Sequence, residues 1–94
     1  MIQSYRSKET ELFADGEKIR RWELFRRQAE KRLRILEAAA AVTDLLPLNS
    51  NRLEALRGDR IGLYSIRIND PWRICVDWPI DDPGPSNIEI VDYH

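Results

Sequence analysis

The chain has 94 residues, of which 43% are hydrophobic, so we expect one small domain over residues 1–94 with a single core. Its formal net charge of −1 argues against a protein that binds nucleic acid through bulk positive charge alone. The single cysteine excludes an internal disulfide. With no signal-peptide pattern and no membrane-spanning run in the sequence, we expect a cytoplasmic protein.

A short helix is predicted near the start of the chain, after a β-compatible segment at residues 2–5. Ser7 is a suitable N-cap for a helix over Lys8–Asp15, because its hydroxyl can accept a hydrogen bond from the first turn. Gly16 then provides a suitable end. We expect Leu12 and Phe13 to be the buried residues of this helix.

A longer helix is predicted over Ile19–Val42. Apolar residues recur there at spacings of three and four, which is typical of a helix with one face on a core. These residues are Trp22, Phe25, Ala29, Leu33, Leu36 and Ala40, with Leu24 and Ile35 widening the stripe. The alanine run at 38–41 favours helix up to the predicted end.

The outer face of this predicted helix is basic. It carries Arg20, Arg27, Lys31 and Arg34. One interpretation is a nucleic-acid or ribosome contact. The other, which we prefer, is a solvated face whose charges are compensated by the i,i+4 pairs Glu23–Arg27 and Glu30–Arg34.

Four β-patterned segments follow the helices. They lie at 52–56, 63–68, 72–78 and 87–91, and a connector rich in Asp, Pro and Gly separates the last two. Helices that precede a run of strands indicate an α+β fold with a central, mostly antiparallel sheet. We expect two N-terminal helices, with the longer one packed on one face of the sheet.

The alternation of the middle two strands predicts their register. Joining their apolar faces requires Ile66 opposite Ile74, which makes 69–71 a three-residue loop. The same register places Arg67 opposite Arg73 on the face away from the core. Facing like charges are destabilising, so a structural carboxylate or a bound phosphate should offset them.

The residue types limit the chemistry. One histidine and one cysteine cannot form a zinc cluster, and no phosphate-binding glycine motif is present. An acidic group at Asp77, Asp81 and Asp82 is better interpreted as a solvated loop than as a cation site. Cys75 is interpreted as a small buried residue.

Arginine, tyrosine and histidine remain as candidates. Arg57, Arg67 and Arg73 have the geometry to grip a phosphate and stabilise developing charge. Tyr93 can stack on an unpaired base, and His94 can act as a general acid or base. From these residues alone, a phosphate site is only slightly favoured over a structural ion-pair network.

The segment NRLEALRGDRIGLYSIRINDPWRIC and the terminal IEIVDYH resemble the HigB group of bacterial type II toxins, within the RelE/ParE superfamily. The preceding helix and connector also match the group, so the resemblance covers nearly the whole chain. It implies a compact RelE-like α+β fold. It also implies a metal-independent endoribonuclease, without cofactors, that cleaves mRNA in the ribosomal A site by 2′-hydroxyl attack on the scissile phosphate.

The resemblance also implies roles and partners. Arg67, Arg73 and the terminal triplet Asp92, Tyr93 and His94 match catalytic positions of the group. Arg57, Arg60 and Glu54 are expected in RNA binding. The implied partners are the ribosome, mRNA and a HigA-like helix-turn-helix antitoxin, through which alone the toxin would reach operator DNA; no membrane is implied.

One departure from the group leaves a mechanism open. Some members have histidine at the position of Glu54, and this carboxylate either acts as a base or only pairs with Arg52 or Arg57. Two other functions are retained as alternatives: a gyrase-directed, ParE-like toxin without nuclease activity, and a degenerate toxin kept as an antitoxin-binding regulatory partner.

Overall fold

The fold is α+β, with helices in the first half of the chain and one antiparallel sheet in the second. A computed structural model describes residues 1–45, 48, 53–55, 62–79 and 81–92. Its elements are helix α1 (Lys8–Ala14), a 3-10 helix (Arg20–Phe25), helix α2 (Arg26–Ala38), a second 3-10 helix (Val42–Leu45) and strands β1 (Leu53–Ala55), β2 (Leu63–Arg67), β3 (Trp72–Asp77) and β4 (Ser86–Asp92). None of the helices within residues 1–45 has the length and apolar character to cross a membrane.

Helix α1 forms where the sequence predicts it. The Ser7 hydroxyl accepts a hydrogen bond from the Thr10 N–H at 3.0 Å, so the predicted N-cap is confirmed. At the other end Gly16 adopts a φ of 100°, a left-handed conformation that glycine enters without steric cost. The buried Thr10 hydroxyl also accepts from the Ile90 N–H of β4 at 3.1 Å, which fixes α1 against the sheet edge.

The four strands pair in sequence order, β1-β2-β3-β4, and every pair is antiparallel. The predicted hairpin register is confirmed, because Ile66 lies opposite Ile74 and Arg67 lies opposite Arg73. The 69–71 loop closes with a hydrogen bond from the Ile68 N–H to the Trp72 carbonyl at 2.9 Å. Because strand residues alternate between faces, this register fixes which side chains meet the helices.

The core lies between α2 and one face of the sheet. Ala29, Leu33 and Leu36 of α2 are buried together with Ile66 and Ile74 of the central strands. Burying these side chains is the main favourable contribution to folding, at roughly 25 cal/mol for each Å² of apolar surface. The opposite face of the sheet is therefore left without a helix from the described part of the chain.

The longer helix predicted over Ile19–Val42 is divided at its start. Residues 20–25 form the 3-10 helix and α2 begins only at Arg26. The Glu23 carboxylate accepts a hydrogen bond from the Ile19 N–H at 3.0 Å and so satisfies a donor before the 3-10 turn. The tighter turn changes which residues face the core, since a 3-10 helix has three residues per turn.

The predicted end of that helix is also wrong, because α2 stops at Ala38. Ala39 has an extended backbone, and its carbonyl accepts a hydrogen bond from the Met1 ammonium group at 2.9 Å. The Asp44 carboxylate accepts from the N–H groups of the next two alanines at 2.8 and 3.1 Å. Tertiary and capping contacts thus override the helix propensity of the alanine run.

Four predicted core residues are not fully buried. Leu24 on the 3-10 helix is 99% exposed and Ala40 beyond the end of α2 is exposed, whereas Leu12 and Ile35 are only partly buried. Ala39 and Thr10 are buried instead. Three of these differences have a local cause. The 3-10 turn rotates Leu24 outward, the early end of α2 leaves Ala39 buried and Ala40 exposed, and α1 buries Thr10 against β4.

The predicted helix ion pairs Glu23–Arg27 and Glu30–Arg34 are wrong. Arg26 binds both carboxylates, at 2.8 Å for Glu23 and 3.0 Å for Glu30. Its hydrogen bonds to Glu23 hold the pKa of that carboxyl below its usual range. The two outward arginines therefore lose the compensation that the sequence predicted.

Candidate functional site

The centre of the candidate site is the pair of arginines at the hairpin end of the sheet. Arg67 and Arg73 are direct cross-strand neighbours of β2 and β3. They lie on the face opposite the buried Ile66 and Ile74, and their side chains are 40% and 22% exposed. The structure therefore brings together the two arginines that the sequence predicted to be adjacent, on the face away from α2.

Each arginine has a carboxylate beside it, which offsets the repulsion of the pair. Arg67 donates to Asp70 of the hairpin loop at 2.8 Å, and Arg73 donates to Glu54 of β1 at 3.5 Å. Both carboxylates are more exposed than their partners. Such solvent-exposed pairs contribute at most about 1 kcal/mol each, so an incoming phosphate can displace them at low cost.

A buried hydroxyl orients Arg73 further. Ser65 lies beside Glu54 across the β1–β2 pairing, and its side chain is almost fully buried. Arg73 donates to the Ser65 hydroxyl at 3.1 Å. The Glu54 carboxylate and the Ser65 hydroxyl both accept from the same nitrogen of Arg73 and so help to position its guanidinium. Cys75, expected to be buried, is partly buried and lies opposite Ser65.

Arg32 of α2 supports the same strand from the core side and was not predicted as a site residue. It is buried, and its Nε donates to the Arg67 carbonyl at 2.9 Å while another nitrogen donates to the Gln28 carbonyl at 3.0 Å. The helical spacing contained the signal, because Arg32 falls beside Ala29 and Leu36 on the buried stripe. Asp70 and Ser65 were also missed, although the hairpin register places both next to the arginine pair.

Asp92 occupies a position of β4 that belongs to the helix side of the sheet, not to the face that carries the two arginines. It pairs with Trp72 and shares a face of β4 with Ile88 and Ile90, whose side chains are buried against the helices. Asp92 itself is exposed at the end of β4. The structure therefore does not place the Asp92 position on the same face as Arg67.

Four predicted site residues lie outside the described residues: Arg57, Arg60, Tyr93 and His94. Glu54 is described and pairs with Arg73, a partner that was not expected for it from the sequence. Among the described residues no group of three or more His, Cys, Asp or Glu side chains is placed to hold a metal ion. The described part of the site is thus an arginine pair with two exchangeable carboxylates and a buried orienting hydroxyl.

This arrangement is suited to an oxyanion with several oxygens. Two adjacent guanidinium groups can bind a phosphate and stabilise the extra negative charge of a pentacoordinate transition state.

Comparison with known proteins identifies a family for the chain. A family model described as RelE-like toxin of type II toxin-antitoxin system HigB matches residues 4–94. A search of curated proteins gives no match.

Proposed function

The chain belongs to the HigB-like family of RelE-like toxins of type II toxin–antitoxin systems, and from that premise we propose that it cleaves mRNA in the ribosomal A site. Membership makes the protein a toxin that has an antitoxin partner. The finer proposal is that the toxin is an endoribonuclease that acts without a metal ion and only on translating ribosomes.

The main support for this proposal is the pair Arg67 and Arg73. These arginines lie side by side on the face of the sheet opposite to α2. A like-charged pair in direct register is costly in a sheet. A site that binds phosphate explains why the pair is kept, because a phosphate can replace the exposed carboxylates of Asp70 and Glu54 and bind both arginines at once.

The proposed reaction is an internal transfer at phosphorus. The 2′-oxygen of the nucleotide attacks the adjacent phosphorus and loses its proton to a base, while the bond to the 5′-oxygen breaks and that oxygen takes up a proton. The products are a 2′,3′-cyclic phosphate and a 5′-hydroxyl end. Arg67 and Arg73 stabilise the negative charge that builds on the non-bridging oxygens. From the resemblance, Tyr93 stacks on a base and His94 assists proton transfer.

The remaining residues have subsidiary roles in this proposal. Arg57 and Arg60 extend the RNA contact, and Glu54 holds Arg73 until the phosphate arrives. Asp92 acts at the end of β4, away from the arginine face. The proposed partners are a HigA-like helix-turn-helix antitoxin, which alone contacts operator DNA, and the ribosome with its mRNA in the cytoplasm.

The test is expression of the toxin in growing cells, followed by mapping of mRNA 5′ ends. The wild-type protein is expected to stop translation and create new ends within coding regions. The Arg73→Ala variant is expected to lose at least about a hundredfold of this cleavage, because removing one preorganised donor to a reacting oxyanion costs that much. Arg6→Ala is the matched control, since Arg6 is also an arginine paired at 3.5 Å with a carboxylate, that of Asp77.

Three outcomes would contradict the proposal. Replication arrest with a DNA damage response and no new mRNA ends would indicate a gyrase-directed toxin. Absence of any growth defect, with antitoxin binding intact, would indicate a regulatory partner that has lost its activity. Full cleavage by a folded Arg73→Ala variant would show that the arginine pair is not the site.

A further inference from the structure

Arg32, on the buried side of α2, is hydrogen-bonded to the strand that carries Arg67. Its Nε donates to the Arg67 carbonyl at 2.9 Å. Another of its nitrogens donates to the Gln28 carbonyl of its own helix at 3.0 Å. Because one bond reaches the strand and the other returns to the helix, the guanidinium plane is fixed between α2 and β2.

The burial of this arginine is not explained by packing. A cation loses its hydration when it is buried, and arginines are seldom buried unless other groups bind them. Arg32 is one of only three polar or charged residues that are buried in the described part of the chain. A methionine has a similar length and would fill the space between helix and sheet without the loss of hydration. The contact that Arg32 makes with β2 is therefore the feature to explain.

The Arg67 carbonyl lies at an end of the sheet where it needs a donor from elsewhere. The Ile68 N–H donates to the Trp72 carbonyl of β3. Since backbone groups alternate in direction along a strand, the N–H and carbonyl of Arg67 point away from β3, toward the β1 side. The described pairing of β1 with β2 ends one residue before Arg67. Arg32 supplies a hydrogen bond to this carbonyl from the helix side.

The backbone at this position decides where the Arg67 side chain points. Arg67 and Arg73 form a pair without mutual backbone hydrogen bonds, the kind in which facing side chains come closest. Arg73 is oriented through its side chain, which donates to the buried Ser65 hydroxyl at 3.1 Å. The side chain of Arg67 donates to the Asp70 carboxylate, which is 85% exposed. Its direction therefore depends more on the backbone that Arg32 holds.

We propose that Arg32 is a positioning residue, which holds the backbone of Arg67 so that both guanidinium groups of the pair meet the same phosphate. Arg32 acts from the helix side of the sheet and does not touch the substrate. A displacement of about 1 Å at a reacting group can cost about a hundredfold in rate. This inference deepens the proposed function and rests on it for the identity of the phosphate as the scissile one, whereas phosphate binding is measurable without cleavage.

The test compares two neutral variants that differ at the atom in the place of Nε. In Arg32→Gln an amide nitrogen can occupy this place and donate to the Arg67 carbonyl, whereas in Arg32→Met a methyl group occupies it. Both variants lose the charge and the bond to Gln28. Single-turnover cleavage on ribosomes should stay within about threefold of the wild type for Arg32→Gln and fall by about tenfold or more for Arg32→Met.

The control for lost stability is Thr10→Val, which breaks a buried hydrogen bond between α1 and β4, outside the candidate site. This variant should cleave like the wild type at a temperature at which all variants are folded. If Arg32→Met does not fold, Arg32→Leu, which also lacks the donor, takes its place in the comparison.

Two further measurements distinguish positioning from a purely structural role. In an Arg67→Ala background, Arg32→Gln and Arg32→Met should differ in cleavage by less than about twofold, because the side chain that Arg32 positions is gone. Inorganic phosphate is also titrated into the full chain without ribosomes, and the Nε–H NMR signals of Arg67 and Arg73 are followed. Phosphate should bind Arg32→Met at least about threefold more weakly than Arg32→Gln, since the arginine pair is then less well preorganised.

The outcomes separate this inference from the proposed function. Equal cleavage and equal phosphate binding by folded Arg32→Gln and Arg32→Met would overturn the inference, even if the wild type cleaves mRNA. A difference in cleavage that persists undiminished in the Arg67→Ala background would also overturn it. If the wild type cleaves no mRNA but phosphate binding still distinguishes the two variants, the inference stands and the proposed function fails.

Discussion

Replacing Glu54 by glutamine separates the two roles that the sequence left open for this residue. Its carboxylate lies 3.5 Å from Arg73, and its side chain is 60% exposed. At that distance a water-like dielectric gives a Coulomb energy of about 1 kcal/mol, which salt reduces further. If Glu54 only occupies Arg73 until a phosphate replaces it, Glu54→Gln should tighten RNA binding by up to about fivefold. The free energy of unfolding should change by less than about 1 kcal/mol.

The assay is cleavage of mRNA on programmed ribosomes, with binding and the maximal rate measured separately. The maximal rate of Glu54→Gln should stay within about threefold of the wild type. Loss of general-base catalysis would instead lower that rate by about 10² to 10⁴. Glu9→Gln is the matched control, because Glu9 is an exposed carboxylate paired with Arg21 at 2.7 Å. A fall of a hundredfold or more for folded Glu54→Gln, with Glu9→Gln unaffected, would refute the reasoning.

The other expectations concern stability. Thr10→Val should remove the acceptor of the Ile90 N–H. A buried unpaired donor costs about 1–3 kcal/mol, so the variant should unfold at a temperature at least about 4 °C lower than the wild type. Thr43→Val, at an exposed threonine, is the control, and equal melting temperatures of the two variants would contradict the role of this bond. The pKa of Glu23 is held below its usual 4.5 by Arg26, so this pair stabilises the fold above that pH and the contribution is lost as pH falls through the lowered pKa. Arg26→Gln should therefore flatten the acid side of a stability–pH profile, and an unchanged profile would count against the pairing.

The hairpin could be predicted closely from the sequence because strand alternation has a strict period of two. Once Ile66 and Ile74 share a face, the 69–71 loop and the opposition of Arg67 and Arg73 follow without further information. The α+β class followed from the order of the elements in the same way. These predictions used only local periodicity and the need to bury one face.

The helix ends and ion pairs could not be predicted because long-range contacts decide them. The end of α2 depends on the Met1 ammonium group, which lies far away in sequence and hydrogen-bonds to the Ala39 carbonyl. The i,i+4 rule does not choose between competing partners, and Arg26 takes Glu23 at i,i+3 and Glu30 at i,i+4. The basic outer face of the helix, which the sequence favoured as a compensated solvated face, loses that predicted compensation through this exchange of partners.

The candidate site could be predicted from the sequence only in part. Its arginine pair followed from register, but the buried Ser65 hydroxyl and the Arg32 contact behind β2 depend on how α2 and β1 dock on the sheet. The terminal triplet was matched by resemblance. Of its members, only Asp92 is described. It lies on the helix side of β4 because it pairs with Trp72, and this could be deduced only once the β3–β4 register was known.

The central claim is that Arg67 and Arg73 act on a scissile phosphate presented by the ribosome. The most direct measurement is single-turnover cleavage of one mRNA, free or bound in the A site of purified ribosomes, by the wild type and by Arg73→Ala. We expect a cut with a 2′,3′-cyclic phosphate end only on ribosomes and only with wild-type toxin. Equal cleavage of free mRNA, or undiminished cleavage by folded Arg73→Ala, would contradict it.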